Sequence, residues 1–155
     1  VRSELKTRTK QANTATATSF VNLETAKALA LQVQFGTVTS ASADQSIAVT
    51  VEASSVGASG AEVAIPFRYR LSGAVGSNTL GALTNATTSG ATIASTDDNK
   101  TLWIYVDPAA VLAKLADAQY VRVVITPDAG YSACLVAANA YISPRYQQAS
   151  PVSAT

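Results

Sequence analysis

Histidine does not occur in this 155-residue chain. Its absence excludes a Ser-His-Asp triad, a Cys-His pair and a histidine-ligated metal site. The single cysteine, Cys134, excludes an internal disulfide and a thiolate zinc site. Since Cys134 lies among small apolar residues, we expect a buried and unreactive thiol. The chain therefore offers little for catalysis, and we expect neither an enzyme nor a bound cofactor.

Charged residues are also scarce, at 14% of the chain against about 25% in an average soluble domain. The net charge of +1 gives no overall field to hold a polyanion, so direct binding of nucleic acid is not expected.

The apolar runs are shorter than the roughly 18 residues that a membrane-spanning helix needs, so no membrane partner is expected. The length fits one domain.

The first 19 residues differ from the rest of the chain. Their first half holds one acid, Glu4, and four cations, which are Arg2, Lys6, Arg8 and Lys10. Small polar residues follow, so the segment has almost nothing to bury and cannot offset the entropy lost on ordering. We therefore expect residues 1–19 to be an extended N-terminal arm, disordered by itself or ordered by a partner such as an acidic protein surface.

Residues 20–146 show repeated alternation of apolar and polar side chains, which is typical of half-buried strands. The alternation predicts strands over Ala28–Phe35, Ser46–Ala53, Ala61–Leu71, Thr101–Val106, Tyr120–Thr126 and Ser132–Ile142, with a weaker one at Ala91–Ser95. Pro66 lacks an amide hydrogen and predicts an edge position or a bulge. We expect an antiparallel β-sandwich domain over residues 20–146, of jelly-roll or immunoglobulin-like type.

One short helix is predicted after Asp107. This residue is a favoured N-cap, Pro108 suits the first helical position, and apolar residues then recur at helical spacing to about position 118. Residues 72–90 are expected to form a long loop, and residues 147–155 a polar tail that leaves the body.

Carboxylates suggest two kinds of site, and each has a simpler interpretation. The Asp97-Asp98-Asn99 cluster could bind calcium, but it lacks the glycine and the closing glutamate of an EF-hand, and a solvated turn is favoured. Three other acids could form pairs for glycoside hydrolysis, but a helix cap, a helix end and a hairpin turn are the favoured roles. These acids are Asp107, Asp117 and Asp128.

Four aromatic residues could form a platform for sugars or bases, although core packing is the favoured interpretation. They are Phe67, Tyr69, Trp103 and Tyr105. Trp103 and Tyr105 alternate with aliphatic residues, so their strand is apolar on both faces. Either it is covered on both sides, or one face meets a partner.

Short motifs in residues 97–146 resemble those of a known group of proteins. The motifs are Asp98-Asn99-Lys100, Val106-Asp107, Tyr120-Val121-Arg122-Val123-Val124 and Ser143-Pro144-Arg145-Tyr146. Together they resemble the auxiliary head proteins of tailed bacteriophages, which are also called cement or decoration proteins.

The resemblance implies a virion protein, assembled in the host cytoplasm, that binds the outside of the phage head. Such proteins are β-sandwiches or jelly rolls that act as dimers or trimers and bridge neighbouring subunits of the major capsid protein. We expect the partner interface in the arm and the tail, at Arg2, Lys6, Arg8, Lys10, Arg145 and Tyr146.

Two other functions remain open. A carbohydrate-binding β-sandwich of a phage tail or fibre would stack a host-surface glycan on Trp103, Tyr105 and Tyr131. A structural subunit of the tail or its adaptor would share most features of a capsid protein and differ in its place on the particle.

Overall fold

The computed structural model describes residues 2–11, 15–24, 26–40, 45–75, 77–129 and 131–145, without the side chains of 2–11, 38–40 and 131–134. The elements run in the order β1 (Arg2–Gln11), β2 (Thr16–Ala17), β3 (Val21–Asn22), β4 (Ala26–Ser40), β5 (Ser46–Ser54), β6 (Glu62–Ile65), β7 (Phe67–Leu71), β8 (Thr84–Ala86), β9 (Ala91–Ala94), β10 (Thr101–Val106), α1 (Pro108–Lys114), β11 (Tyr120–Pro127) and β12 (Tyr131–Pro144).

The strands form two antiparallel sheets. The front sheet has the order β1-β12-β4-β10-β7-β8. The back sheet has the order β2-β11-β5-β6, with β3 also paired to β11 and β9 also paired to β5. The predicted antiparallel β-sandwich with one short helix is confirmed.

The core lies between the two sheets and is built from alternate residues of their strands. On β5, Ile47, Val49 and Val51 are fully buried, and on β10 Leu102 and Ile104 are fully buried. Branched aliphatic side chains suit this position because they are stiff and pack well on a pleated surface. The residues between them face outward, and they decide what each outer surface can bind.

The predicted strand Ala61–Leu71 is wrong as a single element, because Pro66 divides it. β6 pairs with β5 in the back sheet, whereas β7 pairs with β10 in the front sheet. Proline cannot donate to a strand ladder, so the chain leaves one sheet there and enters the other. Ile65 and Phe67 on either side are both buried, so the apolar alternation continues across the change of sheet.

The helix begins as predicted. The Asp107 side chain accepts a hydrogen bond from the Ala109 N–H at 3.0 Å, and Pro108 occupies the first turn. The helix ends at Lys114, earlier than the periodicity suggests. Val111 is buried and anchors the helix to the body.

The segment predicted as an arm, residues 1–19, has two strands. Residues 2–11 form β1 and pair with β12, and β2 pairs with β11 in the back sheet. Thr18 exchanges hydrogen bonds with Val123 at 2.9 and 3.1 Å. Pairing along an existing edge relies mainly on backbone groups, so a segment with few apolar side chains can still be ordered by its own chain. The tail, residues 147–155, lies outside the described residues.

The predicted loop over residues 72–90 is more regular than expected. It contains β8 and two isolated bridges, Ser72 to Leu80 and Thr87 to Gly90. Gly90 has a φ of +89°, and a Cβ there would collide with the Val49 carbonyl oxygen. The segment therefore leads from the front sheet to β9 of the back sheet through a turn that requires glycine.

Candidate functional site on the outer face of the front sheet

The outer surface of the front sheet carries aromatic side chains. Because Leu102 and Ile104 of β10 point into the core, Trp103 and Tyr105 between them lie on the outer surface, where both are half-buried. Tyr141 of β12 is also half-buried, and its ring centroid lies 5.5 Å from that of Trp103, with 34° between the planes. We call this surface the aromatic face.

The strand register sets the order of side chains across the aromatic face. In one row, Trp103 lies opposite Gln32, which in turn lies opposite Asn139. In the next row, Tyr105 and Tyr141 lie opposite Ala30 from its two sides. The tyrosines therefore stand on either side of a strand position that has only a methyl group.

One glutamine holds the polar part of the aromatic face. The Oε1 of Gln32 accepts hydrogen bonds from the Tyr141 hydroxyl and from the Asn139 Nδ2, both at 3.1 Å. These two bonds orient the Tyr141 side chain and the Gln32 amide. The polar part of the aromatic face is thus held in a defined arrangement.

Basic residues border the aromatic face. Arg70 lies opposite Trp103, and its guanidinium donates to the Gly81 carbonyl at 3.2 Å. Arg68 lies opposite Tyr105 and is exposed. Among the residues that the structure describes, Arg68 and the exposed Lys27 have no hydrogen-bond or ion-pair partner for their side chains.

A groove of about 430 Å³ crosses one end of the aromatic face. Its lining includes Tyr105 and Tyr141 with Ala30 between them, and the cations Lys27 and Arg68. Volumes of roughly 300–1,000 Å³ are typical of small-molecule sites. The groove therefore has the size of a ligand site and a lining that is partly apolar and carries a net positive charge, from two cations and Asp107.

The predicted partner residues fall at the other edge of the same sheet. The backbones of three arm residues pair with β12: Arg2 with Ile142, Lys6 with Ala138 and Lys10 with Leu135. Arg8 lies at a register shift of β1. Arg145 directly follows β12 and is exposed. The structure thus brings the backbones of these four arm residues to one sheet edge, with Arg145 just beyond its neighbouring strand.

Of two other predicted residues, Tyr131 begins β12 and pairs with Ser40 through its backbone. Tyr146 lies outside the described residues, and the Tyr131 side chain is likewise not described. The role of each stays a prediction.

The aromatic residues divide between core and surface. Phe67 is buried and Tyr69 packs against the core, as the favoured interpretation predicts. Trp103 and Tyr105 depart from it, because they lie on the outer face. Gln32, Asn139 and Tyr141 were not singled out from the sequence. Of these three, only Tyr141 could have been predicted to lie on an outer face, because it alternates with buried positions along the last strand.

The acidic candidates mostly have local structural roles. Asp97 accepts from the Ala94 N–H at 3.0 Å and pairs with Lys100 at 2.7 Å, so it stabilises the turn before β10. Asp128 accepts from the Ser46 N–H and hydroxyl at 2.8 and 2.9 Å. Asp117 is exposed. The described residues contain no cluster of acids, histidines and cysteines arranged to hold a metal ion.

The outer face of the back sheet has a different character. Arg122 of β11 contacts Glu52 at 2.9 Å and Glu62 at 2.7 Å, donates to the Ser59 hydroxyl at 3.1 Å, and lies 4.8 Å from the centre of the Phe20 ring. We call this group the Arg122 network. It links β5, β6, β11 and the segment before β3.

The Glu62 carboxylate belongs to this network and stays ionised easily. The Gly60 N–H donates to it at 2.8 Å, and that bond, with a smaller contribution from the Arg122 guanidinium, holds the pKa of Glu62 below its ordinary value. Burial opposes these effects without cancelling them. Glu62 is therefore ionised at neutral pH.

Comparison with known proteins identifies no relative: no family model, curated protein or solved structure matches the chain. Among the described residues, no helix is both long and apolar enough to cross a membrane.

Proposed function

We propose that this chain is a structural virion protein that binds the outside of a bacteriophage capsid and bridges neighbouring major capsid subunits. The observation that carries the proposal is the position of β1 at an edge of the front sheet. This ten-residue strand holds four of the cations predicted to contact a partner, and within the described chain β12 is its one neighbour.

An edge strand presents backbone N–H and C=O groups on its open side, which another chain can pair with. Basic side chains along such an edge favour an acidic partner. Each contact on a capsid needs only modest strength, because many copies bind a repeated lattice and bridging subunits makes the contacts multivalent. Own copies, as a dimer or trimer, would raise the number of contacts per particle.

The resemblance to auxiliary head proteins supports the same proposal. The stretch that carries it, residues 97–146, includes β10, α1, β11 and β12. Strand β12 is the one on which β1 docks. A capsid-binding edge would therefore be supported by the part of the chain that resembles those proteins.

Sedimentation with capsids that lack the protein tests the proposal. The test variant carries Lys6→Glu, Arg8→Glu and Lys10→Glu. The control carries Lys27→Glu, Arg68→Glu and Lys114→Glu, which change the net charge equally at exposed positions outside β1.

We expect the wild type and the control to sediment with capsids at a fixed ratio and to raise the temperature at which the capsids break. The β1 variant should lose both effects. The proposal fails if the wild type does not bind stoichiometrically, if it leaves capsid stability unchanged, or if the two variants behave alike.

The aromatic face favours a second candidate, a carbohydrate-binding sandwich of a phage tail or fibre. Half-exposed rings beside fixed amides are typical of surfaces that bind sugars. Gold-labelled antibody on purified particles separates the candidates by place: label on the head supports a capsid protein. Label on the tail supports either this candidate or a structural tail or adaptor subunit, and a glycan array distinguishes those two.

A further inference from the structure

The groove on the aromatic face has a chemistry that capsid binding through β1 does not use. Two tyrosine rings, a methyl floor and two cations meet there, and the lining residues used below are Lys27, Ala30, Arg68, Tyr105 and Tyr141. The groove lies on the outer surface of the front sheet and extends from Tyr105 of β10 to Tyr141 of β12, the strand on which β1 docks.

The apolar part of the groove is open because of one small residue. Tyr105 and Tyr141 are both cross-strand neighbours of Ala30, so their backbones are separated by two strand spacings, or about 9–10 Å. A longer side chain at Ala30 would fill the space between them. The apolar C–H face of a sugar ring can pack on such aromatic surfaces, which also bring a polar hydroxyl.

The lining of the groove holds two cations, Lys27 and Arg68, against one acid, Asp107. Arg68 and Lys27 have no ion-pair partner among the described residues. The Asp107 carboxylate also accepts the Ala109 N–H as the helix cap, and with it the lining keeps a net charge of +1 from two cations and one acid. A ligand that fits this lining has negative charge at its border and apolar surface in its middle.

Of the ligands with that combination, a carboxylated sugar matches the groove best. The planar guanidinium of Arg68 can receive a carboxylate through two parallel hydrogen bonds. A nucleic-acid strand would need a longer row of cations along its backbone, and the groove has two. We propose that this groove binds the carboxylated sugar units of an acidic polysaccharide.

The row of Trp103, Gln32 and Asn139 lies beside the groove and extends the binding surface. Trp103 lies 5.5 Å from Tyr141, and the Tyr141 hydroxyl is held by Gln32. A bound oligosaccharide that is longer than one unit would reach Trp103 next. Trp103 is the chain's one tryptophan, so its fluorescence reports on this surface without a label.

The test uses the full chain and a panel of oligosaccharides made of galacturonate, mannuronate, glucuronate or sialic acid. Binding is measured by titration calorimetry and by the fluorescence of Trp103. For the best ligand of the panel we expect saturable binding with a change in fluorescence, and at least about tenfold weaker binding once its carboxylates are esterified.

Variants locate the site. The double variant Lys27→Ala with Arg68→Ala should weaken binding about tenfold or more, while Lys114→Ala, an exposed lysine at the far end of the helix, should leave it unchanged. Tyr105→Ala should weaken binding, and Tyr120→Ala, on the outer face of the back sheet, should not. Circular dichroism confirms that each variant is folded.

Four outcomes overturn the proposal. The first is absence of binding across the whole panel. The second is equal binding of poly-glutamate or of an oligonucleotide, which would make the groove a site for anions in general or for nucleic acid. The third is full binding by the Lys27 and Arg68 double variant, and the fourth is full binding by folded Tyr105→Ala. Because the test needs no capsid, its failure leaves the proposal for β1 untouched.

Discussion

The two outer faces of the sandwich use arginine in opposite ways. On the back sheet, Arg122 contacts two carboxylates, a hydroxyl and a phenyl ring. On the front sheet, Arg68 is exposed beside Tyr105 and has no ion-pair partner among the described residues. The back face is therefore complete within the chain, whereas the front face has rings and charges that are available to a partner.

The cross-strand partner of each arginine explains why Arg122 is paired with acids and Arg68 is not. Arg122 lies opposite Glu52 on β5, and Glu62 on the neighbouring strand adds a second carboxylate. Arg68 and Arg70 lie opposite Tyr105 and Trp103. Opposite charges across a strand pair stabilise the sheet directly. Arg68 pairs with a tyrosine instead of a carboxylate and has no ion-pair partner among the described residues, so its guanidinium can bind an anion.

The largest expected effect comes from removing Arg122. We expect Arg122→Ala to lower the free energy of unfolding by about 2–3 kcal/mol, because it breaks several charged hydrogen bonds and leaves two carboxylates close together. The measurement is urea unfolding at pH 7, followed by circular dichroism.

Arg68→Ala is the matched control on the other face. Since Arg68 makes no described polar contact, its removal should change the free energy of unfolding by less than about 0.5 kcal/mol. Equal losses for the two variants would contradict the distinction between a self-contained back face and an open front face.

A smaller effect is expected within the aromatic face. Tyr141→Phe removes a hydroxyl that donates to Gln32 and should cost about 0.5–1.5 kcal/mol of unfolding free energy. Tyr105→Phe removes a hydroxyl that has no hydrogen bond to the described residues, so it should cost close to nothing. If Tyr105→Phe is as costly as Tyr141→Phe, Gln32 does not organise this face as its contacts suggest.

Alternation of side chains predicted most of the sandwich, since burying every second residue is a local property of a strand. The predicted strand Thr101–Val106 has the same bounds as β10. The helix start was predictable for a similar reason, because Asp107 caps the nearby Ala109 N–H. Structural features that depend on residues close together in the sequence could therefore largely be predicted from it.

The missed features depend on contacts between distant residues. Alternation runs unbroken from Ile65 to Phe67 although the chain changes sheets at Pro66, because both residues face one shared core. β1 is ordered by backbone pairing with β12, which side-chain composition does not report.

The candidate site was only partly visible for the same reason. The sequence showed that Trp103 and Tyr105 share a strand face. It did not show that Gln32 would meet Tyr141, which lies 109 residues away. That meeting follows from the register of β4 and β12, which no local pattern specifies.

The smallest expected effect is the pH dependence of the Arg122 network. The pKa of Glu62 in the folded protein is held below its ordinary value of 4.5, so the ionised carboxylate stabilises the fold above pH 4.5. As the pH falls through the lower pKa of the folded state, Glu62 takes up a proton and this contribution is lost. We expect urea midpoints to fall between pH 5 and pH 3, and to fall less in Glu62→Gln, which has no proton to gain there.

The proton uptake belongs to the back face, so Lys27→Ala with Arg68→Ala should follow the wild-type pH profile. A Glu62→Gln variant with the full wild-type pH dependence would mean that other carboxylates, and not this network, cause the loss of stability in acid.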